Sequence, residues 1–514
     1  MFIYRKNFYS RIVIISNSGG FVKTSFLPHI ETNFSDWYNE VILLSKLADY
    51  SPVKGCITLL PYGYALWEQI QSTLNIGIKA MHVSNMAFPL LIPYSLLAKE
   101  KDHIEGFSPE VALVTHAGGE KLEEPLVIRP TSEVIIHSYF KKWIKSWRDL
   151  PVKVNQWCSV VRWEKRPRPF IRTSEFWWQE GHTAHETYEE AKSQVLDAIT
   201  LYKNFVQDHL CIPVFMGEKP PYERFAGADE TWTIEGMMQD GKAVQMGTSH
   251  FLSQSFSTAI GISFQDRAQK MQFPFLTSWG VTTRLIGTLV MVHGDNRGLI
   301  FPPKIAPVQV IIIPILKKSN SDFFQEILQK SRFIEKSLLA LDFRVKLVID
   351  EQSTPGEKFA EAELQGIPFR IELGEKDIRN KVFTLFSRYS LERTIIDLSL
   401  FEDPIALKSF FSKHVNQMHL QLFQQALLKR NLNVFHFSKF VDFLSFVQAE
   451  KKNAFYVARW CGEEEAIFKD AGYTVRCFLD NSEEEIIKKV DSNTCCLHDN
   501  CTKQLSIVLI AKSY

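Results

Sequence analysis

The chain has 514 residues, too many for a single hydrophobic core, so two or three domains are expected. Lysine plus arginine (59) and aspartate plus glutamate (58) nearly cancel, so a polyanionic partner must be met by a local basic patch rather than by net charge. With 45% hydrophobic and 23% charged residues, and no uninterrupted apolar run of about 18, the composition is that of a soluble globular protein and argues against a transmembrane one.

The first thirty residues contain Arg5, Lys6, Arg11 and Lys23 and no acid. That pattern reads as a loosely packed N-terminal extension or as an organelle transit peptide. Folded sequence is expected from FSDWYNEVI onward. YGYALWEQIQSTLN, TSEVIIHSYFKKWIKSW and TYEEAKSQVLDAITLYKNFVQDHL have the spacing of amphipathic helices, the last opening on a capping box from Thr187 to Glu190. PLVIRP, VKVNQWCSVVRW, SEFWWQEGH, ETWTIEG and KAVQMGTSHFLS read as strands. Adjacent strands with helices around them predict an α+β domain on a mainly antiparallel sheet. Beyond Pro302, Pro303 and Pro307 the pattern becomes βαβαβ: VQVIIIPI, a helix, FRVKLVI, a helix around EKFAEAELQG, and PFRIEL. This predicts a small α/β domain with a partly parallel sheet. A cysteine-containing third segment follows from about residue 430. The eight cysteines show no secreted disulfide pattern, so a reducing compartment, the cytosol, is expected.

No Walker loop, dinucleotide fingerprint, HExxH zinc site or nucleophile elbow is present. A nucleotide would therefore have to be held by side-chain cations. RWEKRPRPFIRTSEFWWQEGH (162–182) offers them. Arg162 and Glu164 are two apart on an expected strand and so share a face. A guanidinium is a planar fork suited to phosphate or carboxylate. KRPRP makes a stiff cationic loop, after which Arg172 is expected to re-enter the sheet. In WGVTTRLIGTLVMVHGDNRGLIFPP Arg284 sits within the apolar, helix-like run, which is costly unless it is paired or faces a ligand cavity.

These segments, with FPLLIP around Pro89, resemble motifs 2, 3 and 1 of the class II aminoacyl-tRNA synthetases. ADYSPVKGCITLLPYGYALWE, VIRPTSE, TSEFWWQEGH, ERFAGADETW, QMGTSH and SWGVTTR are similar to the prolyl-tRNA synthetases of the eukaryote/archaeon-like type, from about residue 34 to the C-terminal KSY. The resemblance implies proline activation by ATP with Mg2+, transfer to tRNA(Pro), and a homodimer formed through motif 1. It implies an N-terminal extension (1–33), an antiparallel-sheet catalytic domain (34–306), an α/β anticodon-binding domain (307–430) and a small α/β C-terminal domain (431–514). Carried over residue by residue, it places Arg162, Glu164 and Arg284 in catalysis. Thr131, Glu133, Arg162, Trp178, Glu180, His182 and His250 fall at proline. Arg162, Arg172, Thr173, Gln245, Thr248, Thr282 and Arg284 fall at ATP, and Glu363, Arg370 and Glu372 at the anticodon. Glu375 and Lys376 of LGEKD depart from the family's usual GPRD, which puts the anticodon contacts at that corner in doubt. Some relatives carry a C-terminal zinc knot; here Cys461 is followed by Ala466 at the expected second ligand, and Cys495, Cys496 and Cys501 have non-standard spacing, so no zinc is expected. The alternatives are a non-catalytic RNA-binding paralogue, expected to have lost Arg284 or Glu133, and a sister synthetase for threonine, glycine or serine. Bacterial-type relatives insert an editing domain between motifs 2 and 3, and the interval from Glu164 to Arg284 leaves no room for one.

Overall fold

The computed structural model describes residues 27–98, 111–316, 323–437, 439–450, 452–462, 465–490 and 505–514. The acid-free stretch up to residue 26 and the cysteines 495, 496 and 501 lie outside them. The chain divides into two compact units. One comprises the residues up to Asp49, Leu59–Gln69 and His293–Leu422; the other comprises Tyr50–Thr58, Ile70–Val292 and Phe423–Tyr514.

In the second unit the elements that frame the main sheet include a short strand, β1 (Ser84–Asn85), helix α1 (Glu133–Trp143), strands β2 (Val152–Val161) and β3 (Glu175–His185) and helix α2 (Tyr188–Leu210). Strands β4 (Val214–Glu218), β5 (Glu230–Met237), β6 (Ala243–Ser253) and β7 (Phe275–Thr282) lead into helix α3 (Arg284–His293). Half of the expected capping box starts α2: the Thr187 hydroxyl accepts from the Glu190 amide at 3.2 Å, and the reciprocal bond from the Thr187 amide to the Glu190 side chain is not formed. From β4 to β2, in the spatial order β4-β5-β6-β7-β3-β2, every neighbouring pair is antiparallel. Gly181 on β3 makes room for the flat face of Trp279 on β7, because a Cβ there would lie 2.2 Å from the indole.

The first unit contains β8 (Val310–Pro314), α4 (Phe324–Leu339), β9 (Val345–Leu347), α5 (Pro355–Leu364) and the strands β10 (Phe369–Leu373), β11 (Val382–Ser387) and β12 (Arg393–Asp397). Its sheet runs β9-β8-β10-β11-β12. The first three strands are parallel and the last two antiparallel, the partly parallel sheet expected from the βαβαβ pattern. All five residues of β8 are buried, which explains its unbroken apolar run.

The C-terminal segment adds β13 (Val434–Phe437), β14 (Phe455–Trp460), β15 (Thr474–Leu479) and β16 (Ser506–Ala511). These strands extend the first sheet to eleven strands, in the order β13-β14-β16-β15-β4. Strand β15 pairs antiparallel to β4, with Leu479 opposite Gly217. Gly217 is required by that approach: a Cβ would meet the Phe478 carbonyl oxygen at 2.0 Å.

The basic loop also differs from its expected form. Strand β2 ends at Val161, so Arg162 and Glu164 follow the strand rather than lie on it. Arg172 does not re-enter the sheet; its amide and carbonyl pair with those of Arg168 in an isolated two-residue bridge, and the sheet resumes at Glu175. Pro167 and Pro169 offer no amide hydrogen to continue the ladder.

Candidate active site

A cavity of about 330 Å³ opens over the ends of β2 and β3, the 162–173 loop, β6, β7 and the start of α3. Every residue expected in catalysis or at the proline and ATP sites lines it: Thr131, Glu133, Arg162, Glu164, Arg172, Thr173, Trp178, Glu180, His182, Gln245, Thr248, His250, Thr282 and Arg284. Strand geometry accounts for much of the gathering. Trp178, Glu180 and His182 alternate along β3 and so face one side. Opposite them stand Thr282, Gly280 and Ser278 of β7, and Thr248 and His250 of β6 lie one strand further on. Gln245 and Thr248 are three apart, which on a regular strand would turn them to opposite faces. The register between β5 and β6 slips between Ile234 and Glu235, leaving Met246 as the extra residue, and this bulge brings both positions to the cavity.

One end of the cavity is acidic and aromatic. Glu180 is 2% exposed and fully engaged: Oε1 accepts from Ser132 Oγ at 2.5 Å and Gln156 Nε2 at 2.6 Å, and Oε2 lies 3.0 Å from His182 Nε2. Burial pushes the Glu180 carboxyl up, but the His182 hydrogen bond and charge and the Ser132 and Gln156 donors outweigh it, so its pKa is lowered. Burial likewise pushes the His182 imidazole down, and its bond to Glu180 and the charges of Glu133 and Glu180 reverse that and raise it. The result is a buried histidine–carboxylate pair in which each partner favours the charged form of the other. Glu133, 4% exposed, accepts from the Thr131 hydroxyl at the start of α1. The Arg162 guanidinium lies 5.4 Å from the Trp178 ring centre, with its Nε donating to the Pro130 carbonyl at 2.9 Å. His250 is held neutral, with its pKa lowered to about 3 by burial and the nearby charges of Lys219, His182 and Arg162, and it packs on Phe225 at 4.7 Å between ring centres.

The other end is cationic. Arg284, the first residue of α3, donates to two backbone carbonyls, Ile171 and Gln245, each at 3.2 Å. Among the described residues no carboxylate forms an ion pair with it. Burial, with Arg172 and Arg162 close by, lowers its pKa to about 10, still charged at neutral pH. Two anchored edges and a charge that no direct ion pair neutralises suit a multiply charged anion. Arg172 Nη2 donates to the Tyr514 carbonyl at 3.1 Å, so the last residue of the chain stands beside the site.

Sequence reasoning missed Ser132, Gln156, Phe225 and Tyr514. The signal for Gln156 was present as two amides, Asn155 and Gln156, inside an otherwise strand-like run. Reading it required the register of β2 on β3, which sets Gln156 opposite Glu180. The three residues expected at the anticodon do come together in the first unit. Arg370 on β10 donates to Glu372 at 2.9 Å and to Glu363 at 3.1 Å. Its guanidinium is sandwiched between Phe359 and Phe386, 4.2 and 4.0 Å from the ring centres, and Arg370 is 1% exposed.

Residues 115–293 match the family model of the class II tRNA synthetase core domain (G, H, P, S and T), and residues 309–406 match the anticodon binding domain. The chain is 46% identical over 502 residues to the proline–tRNA ligase of Borreliella burgdorferi, covering 96% of this chain and all of that protein. The chain belongs to the prolyl-tRNA synthetase family. The proline–tRNA ligase of Acetoanaerobium sticklandii is 47% identical over 454 residues, 88% of this chain and 92% of its own length. The crystal structure of the Cryptosporidium parvum prolyl-tRNA synthetase complexed with halofuginone and AMPPNP is similar at a TM-score of 0.86 and 39% identity, over 95% of this chain and 99% of that one. The fold expected for the class, an antiparallel-sheet core followed by an anticodon-binding domain, is the fold observed.

Proposed function

We propose that the cavity activates L-proline with ATP and passes it to tRNA(Pro), and that the residues divide this work by charge. The observation that supports the reading is one cavity with a carboxylate-rich, Trp-walled end, an end bearing Arg172 and Arg284, and Arg162 between them. Glu133, with Thr131, meets the secondary ammonium; Trp178 supplies a flat wall for the pyrrolidine ring; Glu180 and His182 fix the floor, and His250 closes the side. Arg162 stands between the two ends, where the proline carboxylate would approach the α-phosphorus. Arg172, Thr173, Gln245, Thr248, Thr282 and Arg284 hold the nucleotide.

The carboxylate is already ionised at neutral pH, so attack needs no general base. Its oxygen forms a bond to the α-phosphorus while the bond to the bridging oxygen breaks, and that electron pair leaves with pyrophosphate. The protein contributes position and a fixed positive field for the charge on the equatorial oxygens. Magnesium fits this arrangement because it takes few protein ligands when phosphates supply the rest. Glu164, whose Oε1 accepts from the Arg166 amide at 2.9 Å, is the cavity carboxylate beside the basic loop and orients that end of the site.

Glu363, Arg370 and Glu372 form the proposed anticodon-reading corner. Domain limits at residues 33, 306 and 430, a homodimer through the motif 1 segment, and a cytosolic setting complete the reading. The free state of Cys56, Cys158, Cys211, Cys461 and Cys477 supports the last. Among the described residues no helix is long and apolar enough to cross a membrane. ATP–pyrophosphate exchange measured with proline, threonine, glycine and serine tests the assignment. Proline should support exchange and the others should not; preference for another amino acid would overturn it.

A further inference from the structure

A second cavity of about 340 Å³ adjoins the nucleotide end. It shares Arg172, Gln245 and Arg284 with the first, and Lys219, Glu223 and Arg476 complete its charged wall. Lys219, at the end of β4, is 4% exposed. Among the described residues its one ion pair is Glu223 at 3.9 Å, beyond hydrogen-bond reach. An ammonium so poorly matched and so buried is costly unless an anion visits it. Arg476 on β15 differs: it grips Glu235, which is 0% exposed, with Nε at 3.1 Å and Nη2 at 3.2 Å, and the Thr233 hydroxyl donates to the same carboxylate at 2.9 Å. Its charge is consumed inside the protein. Glu235 in turn stands opposite Gln245, whose carbonyl anchors Arg284. The Arg476–Glu235 pair therefore fixes the wall, and Lys219 is left to act on whatever enters.

We propose that this second cavity receives the pyrophosphate leaving group and that Lys219 is a direct contact to it. This rests on the adenylation reading above. In an in-line displacement the leaving oxygen lies opposite the attacking carboxylate. With that carboxylate at Arg162, the departing diphosphate is directed past Arg172 and Arg284, the two cations common to both cavities, towards Lys219. The bond that breaks and the electron pair that leaves are those already assigned, so no further reactant is required. Burial lowers the pKa of Lys219 and the carboxylate of Glu235 counters it, a balance that an entering anion would tip towards the charged form.

The test is proline-dependent exchange by the full chain with inorganic pyrophosphate as the varied substrate. Lys219→Met should raise the KM for pyrophosphate about tenfold or more, equivalent to about 1.4 kcal/mol, and weaken product inhibition of aminoacylation in step, with the KM for proline within about twofold. Lys219→Arg should recover most of the loss. Glu223→Gln, at a partly exposed position, removes the competing carboxylate and should lower the KM for pyrophosphate; it decides the matter if Lys219→Met does not fold. A pyrophosphate KM unmoved by Lys219→Met in a folded protein, or by Glu223→Gln, overturns the proposal. Failure of the wild-type chain to exchange with proline would overturn the adenylation reading instead, so the two failures are distinct.

Discussion

Replacing Arg370 by Met keeps most of the aliphatic volume and removes the charge. The structure allows the cost to be worked out. Breaking a buried ion pair by deleting one partner costs about 3–5 kcal/mol, because the remaining charges lose their counter-ion. Here two carboxylates would be stranded, Glu363 and Glu372, and the guanidinium would be lost from between two rings. Arg297 at 3.1 Å from Glu363 and Arg393 at 3.5 Å from Glu372 take up part of the charge, which argues for the lower end, about 3 kcal/mol. At roughly 2–4 °C per kcal/mol, the unfolding midpoint of this unit should fall by about 6–12 °C. Differential scanning calorimetry reads that shift. Exchange and tRNA charging, run below the transition, separate the rest: charging should fall while exchange, which needs no anticodon, stays largely intact. A midpoint moved by less than about 2 °C would refute the buried-pair argument. Equal loss in both assays below the transition would refute the assignment of this corner to the anticodon.

Three further outcomes are expected. Arg284→Ala should reduce exchange by about a thousandfold or more, since about 4 kcal/mol of transition-state stabilisation disappears with the charge; near-normal exchange in a folded variant would remove Arg284 from the site. The unfolding midpoint, followed against pH, should be flat while His182 and Glu180 are both charged. His182, raised by its partners, contributes fully below the ordinary imidazole pKa and loses its contribution as pH climbs through the raised value; Glu180, lowered by its donors, loses its contribution as pH falls through the lowered one. His182→Gln should therefore abolish the alkaline limb of that profile, and an unchanged limb would show that another group titrates. Alanine differs from proline by little more than apolar bulk, worth about 1–3 kcal/mol in a pocket, yet the interval from Glu164 to Arg284 is occupied by the core strands and helices of the sheet. Purified chain should not deacylate alanyl-tRNA(Pro) above the spontaneous rate, and enzyme-dependent release of alanine would reveal an editing centre.

Much of the site was legible because its chemistry is written in short stretches. Trp178, Glu180 and His182 sit at every second position of one strand, and the period of two alone says that they share a face. Arg284 stood out because a single guanidinium in an apolar run has to be explained. The basic loop was read as cationic and stiff, but its end was misplaced by a few residues, since the Arg168–Arg172 bridge is a backbone arrangement that prolines permit without specifying. The bulge at Met246 was illegible for a related reason: a slip of one residue in register leaves no mark on composition, yet it is what lets both Gln245 and Thr248 reach the cavity.

The C-terminal segment shows the stricter limit. Its strands are short and apolar, and such a segment can make a small sheet of its own or add to the edge of another. Nothing local chooses between these, because the choice lies in pairing β15 to β4 across most of the chain. One residue does carry a trace of the answer. Gly217 sits in the strand VFMGE, where glycine weakens a strand unless another backbone must come close, and the Phe478 carbonyl is that backbone. The same approach delivers Arg476 to Glu235 and, through the register of β5 on β6, steadies the carbonyl that anchors Arg284. Joining the sheet at this edge therefore does more than cover it: the segment farthest along the chain supplies the wall against which the phosphate-binding arginine is set.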